Sequence, residues 1–136
     1  MKTVLFIPNY WYQSLELFQE ISIALGNNVN KVLLDTGDQY FQSSKGDRYN
    51  LDDFNNYYDA VFSLEFPHKH DIKIIQLWRM YQYKIKLNKI ISVNNPSLII
   101  TTGDRNNFYL IVKKLCPGIP IVIMQGALLH TQYYQI

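Results

Sequence analysis

The sequence predicts an α/β fold, a three-layer sandwich in which helices cover both faces of a parallel sheet. Three observations carry that reading. Short and nearly continuous apolar runs, Val4-Leu5-Phe6-Ile7 and Ile121-Val122-Ile123-Met124 among them, have the character of strands buried on both faces. They alternate with segments of helical periodicity. A chain of 136 residues, 48% of them apolar, has enough material for one domain with its own core, and that composition excludes a disordered chain.

The elements follow in order. Residues 3–7 form the first strand, which Pro8-Asn9-Tyr10 ends. Residues 13–25 are helical, with Leu17, Ile21 and Leu25 one turn apart and Leu15 and Phe18 beside them; Ser14 is the candidate N-cap and Gly26-Asn27-Asn28 the stop. A second strand covers 29–34. Asp35-Thr36-Gly37-Asp38 after it reads as a turn, since Asp side chains satisfy local backbone donors and Gly supplies positive φ. The functional alternative, a ribose-binding carboxylate at that strand end, lacks the G-x-G-x-x-G loop it would need after the first strand. Residues 39–58 make a long polar and aromatic connection with a turn cluster at 43–47 and possible helix contacts at Leu51 and Phe54. Its Tyr40, Phe41, Tyr49, Tyr57 and Tyr58 either pin the connection to the core or clothe a sugar or peptide groove.

A third strand is expected at 59–64. His68 and His70 then invite a metal reading, but only Asp71 falls near them as a further ligand, so no metal site is assigned. From 71 to 93 the pattern is firmly helical. Ile74, Leu77, Trp78, Tyr81 and Ile85 share one arc, which we expect to pack on the sheet, with Lys73 and Lys84 flanking it and Arg79 and Lys86 further round. The basic flanks permit contact with a membrane surface. They equally permit contact with nucleic acid, but charges spread around the helix make no single binding stripe for either, and the lack of any DNA or RNA module argues further against a nucleic-acid partner. Pro96 and Ser97 close this helix, and Ile99-Ile100-Thr101-Thr102 forms a strand that breaks at Gly103 into a helix lined by Phe108, Leu110, Ile111 and Leu115 and ended by Cys116-Pro117-Gly118. The last strand, 120–124, runs into Gln125-Gly126. The tail after Leu128 has no room for a covering helix, so we expect these residues to be one part of a longer protein. Right-handed crossovers then give a Rossmann-like sheet of about five strands in the order 3-2-1-4-5.

Charge is uneven although the net value is only +2. Through Glu65 there are nine acidic and four basic residues; from Phe66 onward there are two acidic and nine basic, which suits an anionic ligand near the later elements. The lone Cys116 excludes an internal disulfide and fits a reducing compartment, where it is expected to be a packed thiol. No apolar run reaches the length of a membrane span, and the amino terminus lacks a cleavage site, so the expected location is cytoplasmic or peripheral to the inner face of the membrane.

In parallel sheets the side chains that meet a ligand come from the carboxyl ends of the strands, which directs attention to Thr102-Gly103-Asp104-Arg105 and Gln125-Gly126. Asp104 stands at a helix amino end, where a carboxylate caps exposed donors, and Arg105 beside it suits a phosphate. An anion nest at 103–106 or at 8–11 would make the chain a free-standing nucleotide- or phosphate-binding module with a regulatory or interaction role.

Residues 95–104, Asn-Pro-Ser-Leu-Ile-Ile-Thr-Thr-Gly-Asp, resemble the strand that ends in Gly-Asp in the amino-terminal domains of the GT-B superfamily of glycosyltransferases and non-hydrolysing UDP-N-acetylglucosamine 2-epimerases. Residues 118–126, Gly-Ile-Pro-Ile-Val-Ile-Met-Gln-Gly, resemble the strand that follows there. The resemblance implies the acceptor-side, amino-terminal half of a two-domain bacterial glycosyltransferase. Such an enzyme moves a sugar from a nucleotide-sugar donor to a surface polysaccharide or glycolipid, and the donor is held mainly by a carboxyl-terminal domain outside these residues. It implies Asp104 as the catalytic base, substrate contacts from Asn9, Tyr10, Gly103, Arg105, Gln125 and Gly126, and no metal or other cofactor. Gln125 stands where the epimerases carry a catalytic carboxylate, which argues against epimerisation. The isolated domain would be inactive, and apolar surface near Leu128 and Leu129 would favour a homodimer.

Overall fold

The structure, a computed structural model, describes residues 1–8, 12–35, 55–67, 69–102 and 108–124. Its elements are β1 (Lys2–Ile7), α1 (Tyr12–Leu25), β2 (Val29–Asp35), a 3₁₀ turn (Asn55–Tyr57), β3 (Ala60–Ser63), α2 (Lys73–Asn94), β4 (Leu98–Thr102), α3 (Phe108–Leu115) and β5 (Ile121–Met124). All pairings are parallel, and the order is β3-β2-β1-β4-β5, as the sequence predicts.

Alternation along β1 divides the core into two layers. Leu5 and Ile7, with Val32, Leu34 and Ile99, face α2 and α3 through Tyr83, Leu87, Ile91, Val112 and Cys116. Val4 and Phe6, with Leu33 and Ile100, face α1 and the 3₁₀ turn. There the Phe6 ring lies 5.2 Å from Phe18 and 5.6 Å from Tyr58, tilted to one and edge-on to the other, as aromatic quadrupoles prefer.

Local chemistry sets the ends of the elements. α1 already begins at Tyr12, so Ser14 lies inside its first turn and is not the N-cap. Gly26 takes φ +72 and donates its N–H to Ile23 O at 3.2 Å, a left-handed stop that costs glycine least. Asp35 is the last residue of β2, not the first of a turn, because β3 reaches it: Leu64 N–H donates to Asp35 O at 2.8 Å. The end of the long connection is pinned to α1. Gln19 Nε2 donates to the Tyr57 hydroxyl at 2.9 Å, Ser22 Oγ donates to Tyr57 O, and Tyr58 is buried, so these two tyrosines have the structural role. Tyr40, Phe41, Tyr49, Leu51 and Phe54 lie outside the described residues.

The predicted faces of α2 and α3 are corrected. α2 buries Tyr83, Leu87 and Ile91, with Met80 and Ile90 beside them, whereas Ile74, Leu77, Trp78, Tyr81 and Ile85 are 52–75% exposed. The helix is apolar on two sides, and periodicity cannot choose between them. Its carboxyl end makes the choice. Asn95, left-handed at φ 44, donates its N–H to Ile91 O at 2.8 Å, and Ser97 N–H then donates to Thr3 O at 2.8 Å, which ties the exit of α2 to β1 and turns the Ile91 column inward. At the other end Phe66 meets Tyr83 edge-on at 5.1 Å. Among the described side chains of α3 Val112 is buried, supported by Ile111 and Leu115 as predicted, while Leu110 is exposed.

The two faces of α2 should therefore respond differently to truncation. Leu87→Ala should destabilise the domain by about 2–5 kcal/mol in urea unfolding, and Leu77→Ala should change it by no more than about 0.5 kcal/mol. The reverse order would restore the face that periodicity suggests.

Candidate ligand-binding edge

β1 and β4 are neighbours in the sheet, but the chain leaves them in opposite directions, into α1 on one face and α3 on the other. The carboxyl ends of such a pair form the crevice where parallel α/β sheets receive ligands. Ile7 pairs with Thr101 there, and the buried Thr101 Oγ1 donates to Ile7 O at 2.8 Å, a side-chain clamp across the two strand ends. Thr102 beside it is fully buried. One strand away stands Asp35, whose largely buried carboxylate accepts a long hydrogen bond from Ser63 Oγ at 3.4 Å. Together these side chains place a carboxylate and hydroxyls at the carboxyl edge of the sheet. The sequence reads Asp35 first as a turn residue, with a strand-end carboxylate as the alternative, and its place directly after the apolar run Val32-Leu33-Leu34 is the signal for the latter.

The seven residues singled out from sequence, Asn9, Tyr10, Gly103, Asp104, Arg105, Gln125 and Gly126, lie outside the described residues, as does His68. They follow β1, β4 and β5 in the chain, and those strands end at Ile7, Thr102 and Met124, side by side in the parallel sheet.

The other reactive side chains have structural partners. His70 Nδ1 accepts the Ile72 N–H at 3.0 Å, and the His70 backbone N–H donates to Gln76 Oε1 at 2.7 Å, so this residue organises the start of α2. Among the described residues no group of three His, Cys, Asp or Glu side chains is placed to hold a metal. Cys116 Sγ lies 3.0 Å from Val112 O; burial pushes its thiol up and nearby Lys113 only partly offsets this, which leaves a packed, weakly reactive thiol.

No protein-family model matches the sequence, and no curated protein matches it significantly. Among solved structures, two of the C-terminal domain of PF1911 hydrogenase from Pyrococcus furiosus are similar. One, of residues 78–226, has a TM-score of 0.50 at 13% identity over 90% of each chain. The other, of residues 83–215, has a TM-score of 0.50 at 14% identity over 90% of this chain and 91% of that one. UGT73P12 of Glycyrrhiza uralensis, complexed with glycyrrhetinic acid 3-O-monoglucuronide, has a TM-score of 0.49 at 13% identity over 90% of this chain and 28% of its own. The chain is a Rossmann-like parallel α/β domain. At these identities the likeness is one of fold.

At the opposite end of the sheet a cavity of about 490 Å³ lies between the end of α1, the start of β2 and the 3₁₀ turn, with Ser22, Lys31, Asn56, Tyr58 and Asp59 in its wall. Asp59 binds the Lys31 backbone twice there: Lys31 N–H donates to the Asp59 side chain at Oδ2 and Asp59 N–H donates to Lys31 O, both at 2.8 Å. The Tyr58 hydroxyl is buried with no hydrogen-bond partner among the described residues, and burial pushes its phenol well above the ordinary range. Unfolded Tyr58 ionises near pH 10 whereas folded Tyr58 keeps its proton, so its contribution to stability is present below about pH 10 and is lost as pH rises further. Urea unfolding near pH 8 and about pH 11 should show a smaller alkaline loss for Tyr58→Phe than for the parent. At the lower pH that variant should be as stable or more so, since it removes an unsatisfied buried hydroxyl.

Proposed function

We propose that this chain is a nucleotide- or phosphate-recognising module whose ligand enters at the carboxyl edge of the sheet, between β1 and β4. The reading is supported chiefly by the switch point itself, where Thr101 clamps Ile7 and two helices depart on opposite faces. Gly103, Asp104, Arg105, Asn9 and Tyr10 follow those strand ends in the sequence, and we assign them to the ligand. Arg105 and backbone N–H groups would meet a phosphate, and Asp35 with Ser63 would meet hydroxyls on the β2 side. The excess of basic residues after Phe66 supports an anionic ligand.

A second and more specific reading follows from residues 95–104 and 118–126, whose GT-B-like segments coincide with the adjacent strands β4 and β5. In that reading these residues are the acceptor-side part of a bacterial glycosyltransferase. A second domain holds most of the nucleotide-sugar, a saccharide or glycolipid acceptor meets this edge, and Asp104 takes the proton of the acceptor hydroxyl. Gln125 and Gly126, after β5, would border the same cleft. A half-site of this kind binds its donor feebly in isolation, because one wall cannot supply converging contacts.

Calorimetric titration of the 136-residue chain with UDP, CDP, GDP and their sugars separates the readings. A dissociation constant at or below about 1 μM, roughly 8 kcal/mol, is expected of the module. Absence of binding at millimolar ligand would reject it and favour the half-site. For the half-site, Asp104→Asn in the intact transferase should lower turnover by about 10²-fold or more while leaving the fold in place, since Asn still caps a helix but is no base. Near-normal turnover would remove Asp104 from the chemistry.

A further inference from the structure

We propose that the outer face of α2 docks on an anionic lipid surface, lying in the headgroup plane with its apolar stripe turned into the bilayer. The stripe is the one that periodicity assigned to the core: Ile74, Leu77, Trp78, Tyr81 and Ile85. At 1.5 Å per residue it runs about 17 Å along the helix, and the Trp78 and Tyr81 rings stack at 5.9 Å in its middle. Five apolar side chains on one exposed helical face, two of them aromatic, constitute an unusual solvent boundary for a monomer.

Charge identifies the occupant. α2 carries Lys73, Arg79, Lys84, Lys86 and Lys89, and no Asp or Glu between residues 73 and 94. On a helical wheel Lys73 and Lys84 border the stripe on one side and Lys89 borders it on the other, while Arg79 and Lys86 lie further round. A second copy of this chain would set two such all-basic helices against each other. A protein partner is a poorer fit as well, because lysine is depleted from protein interfaces. An apolar line with aromatic residues in it and lysines along both margins is the pattern of helices that rest on anionic bilayers, where the lysine stems run beside the acyl boundary and their ammonium groups reach phosphates. A nucleic acid would match the charge but not the apolar stripe. Two acids lie close to this helix: exposed Asp71, two residues before its start, and Glu65, which shares a recess of about 230 Å³ with Arg79 and Lys86 on one flank; Lys73, Lys84 and Lys89 are exposed and lie outside that recess. Among the described residues no helix is long and apolar enough to cross a membrane, so α2 would lie on the surface.

Flotation with vesicles tests this. The full chain should float with phosphatidylcholine vesicles containing about 30% phosphatidylglycerol at least tenfold more strongly than with pure phosphatidylcholine, and should be released near 1 M salt, where the Debye length is about 3 Å. The triple variant K73Q/K84Q/K89Q should weaken binding on the order of 100-fold, at about fivefold per lysine. The double variant W78A/Y81A should weaken it at least tenfold. Both variants change exposed side chains, and an unchanged urea midpoint verifies that they fold. Equal flotation with neutral and anionic vesicles would overturn the proposal. So would an absence of flotation, a Trp78-dependent dimer in sedimentation without vesicle binding, or retention by RNA but not by vesicles.

Discussion

The structure depends on one constraint, the complete burial of β1 on both faces. Leu5, Phe6 and Ile7 have no exposed surface, so both sides of the strand must be covered and both of its backbone edges must be paired. β2 and β4 supply the pairing in parallel register. Parallel neighbours in turn require crossovers, and the helices in those crossovers supply the cover, α1 over Phe6 and the pair α2 and α3 over Leu5 and Ile7. Replacing an inward side chain of β1 with a charged one would leave that charge without water on either face.

The same constraint creates the edge where a ligand would be received. A strand covered on both faces can offer functional groups only at its ends, and parallel pairing gathers the carboxyl ends of all five strands on one side of the domain. The polar residues at those ends are Asp35, Ser63, Thr101 and Thr102, of which Asp35, Thr101 and Thr102 are buried. Hydrogen bonding between neighbouring strands, Thr101 to Ile7 and Ser63 to Asp35, keeps these polar groups satisfied inside the fold. The opposite end of the sheet is built differently. Asp59, Lys31 and Tyr57 use their polar groups to fix the register of β3 and the docking of the 3₁₀ turn, which is work internal to the fold.

α2 joins the edge strand β3 to β4, three places across the sheet, and so spans most of one face. Its inner column carries the core and its outer column carries surplus apolar area. Burial of Tyr83, Leu87 and Ile91 stabilises the fold, whereas exposure of Trp78 and Tyr81 contributes nothing to it. The uncovered apolar surface is bordered mainly by basic side chains, Lys73, Lys84 and Lys89.

By itself the sequence determined the strands, the helices and their order, because continuous apolar runs and helical periodicity are local signals, and a parallel sheet with right-handed crossovers admits few topologies. It also determined the stop at Gly26, where the chain needs positive φ, and the buried thiol of Cys116. Tertiary structure alone decided which side of α2 enters the core, since the helix is apolar on both sides and the choice lies with the Asn95 cap and the tie from Ser97 to Thr3. It likewise decided that Asp35 ends a strand, because the β3 segment that extends β2 to that residue comes from beyond a long connection. The seven loop residues chosen from sequence rest on the rule that strand ends bear function, and the described residues supply the strand ends they follow. Local patterns specify elements, while the rotation of an element about its own axis is set by contacts between residues far apart in the chain, and no window of sequence contains those contacts.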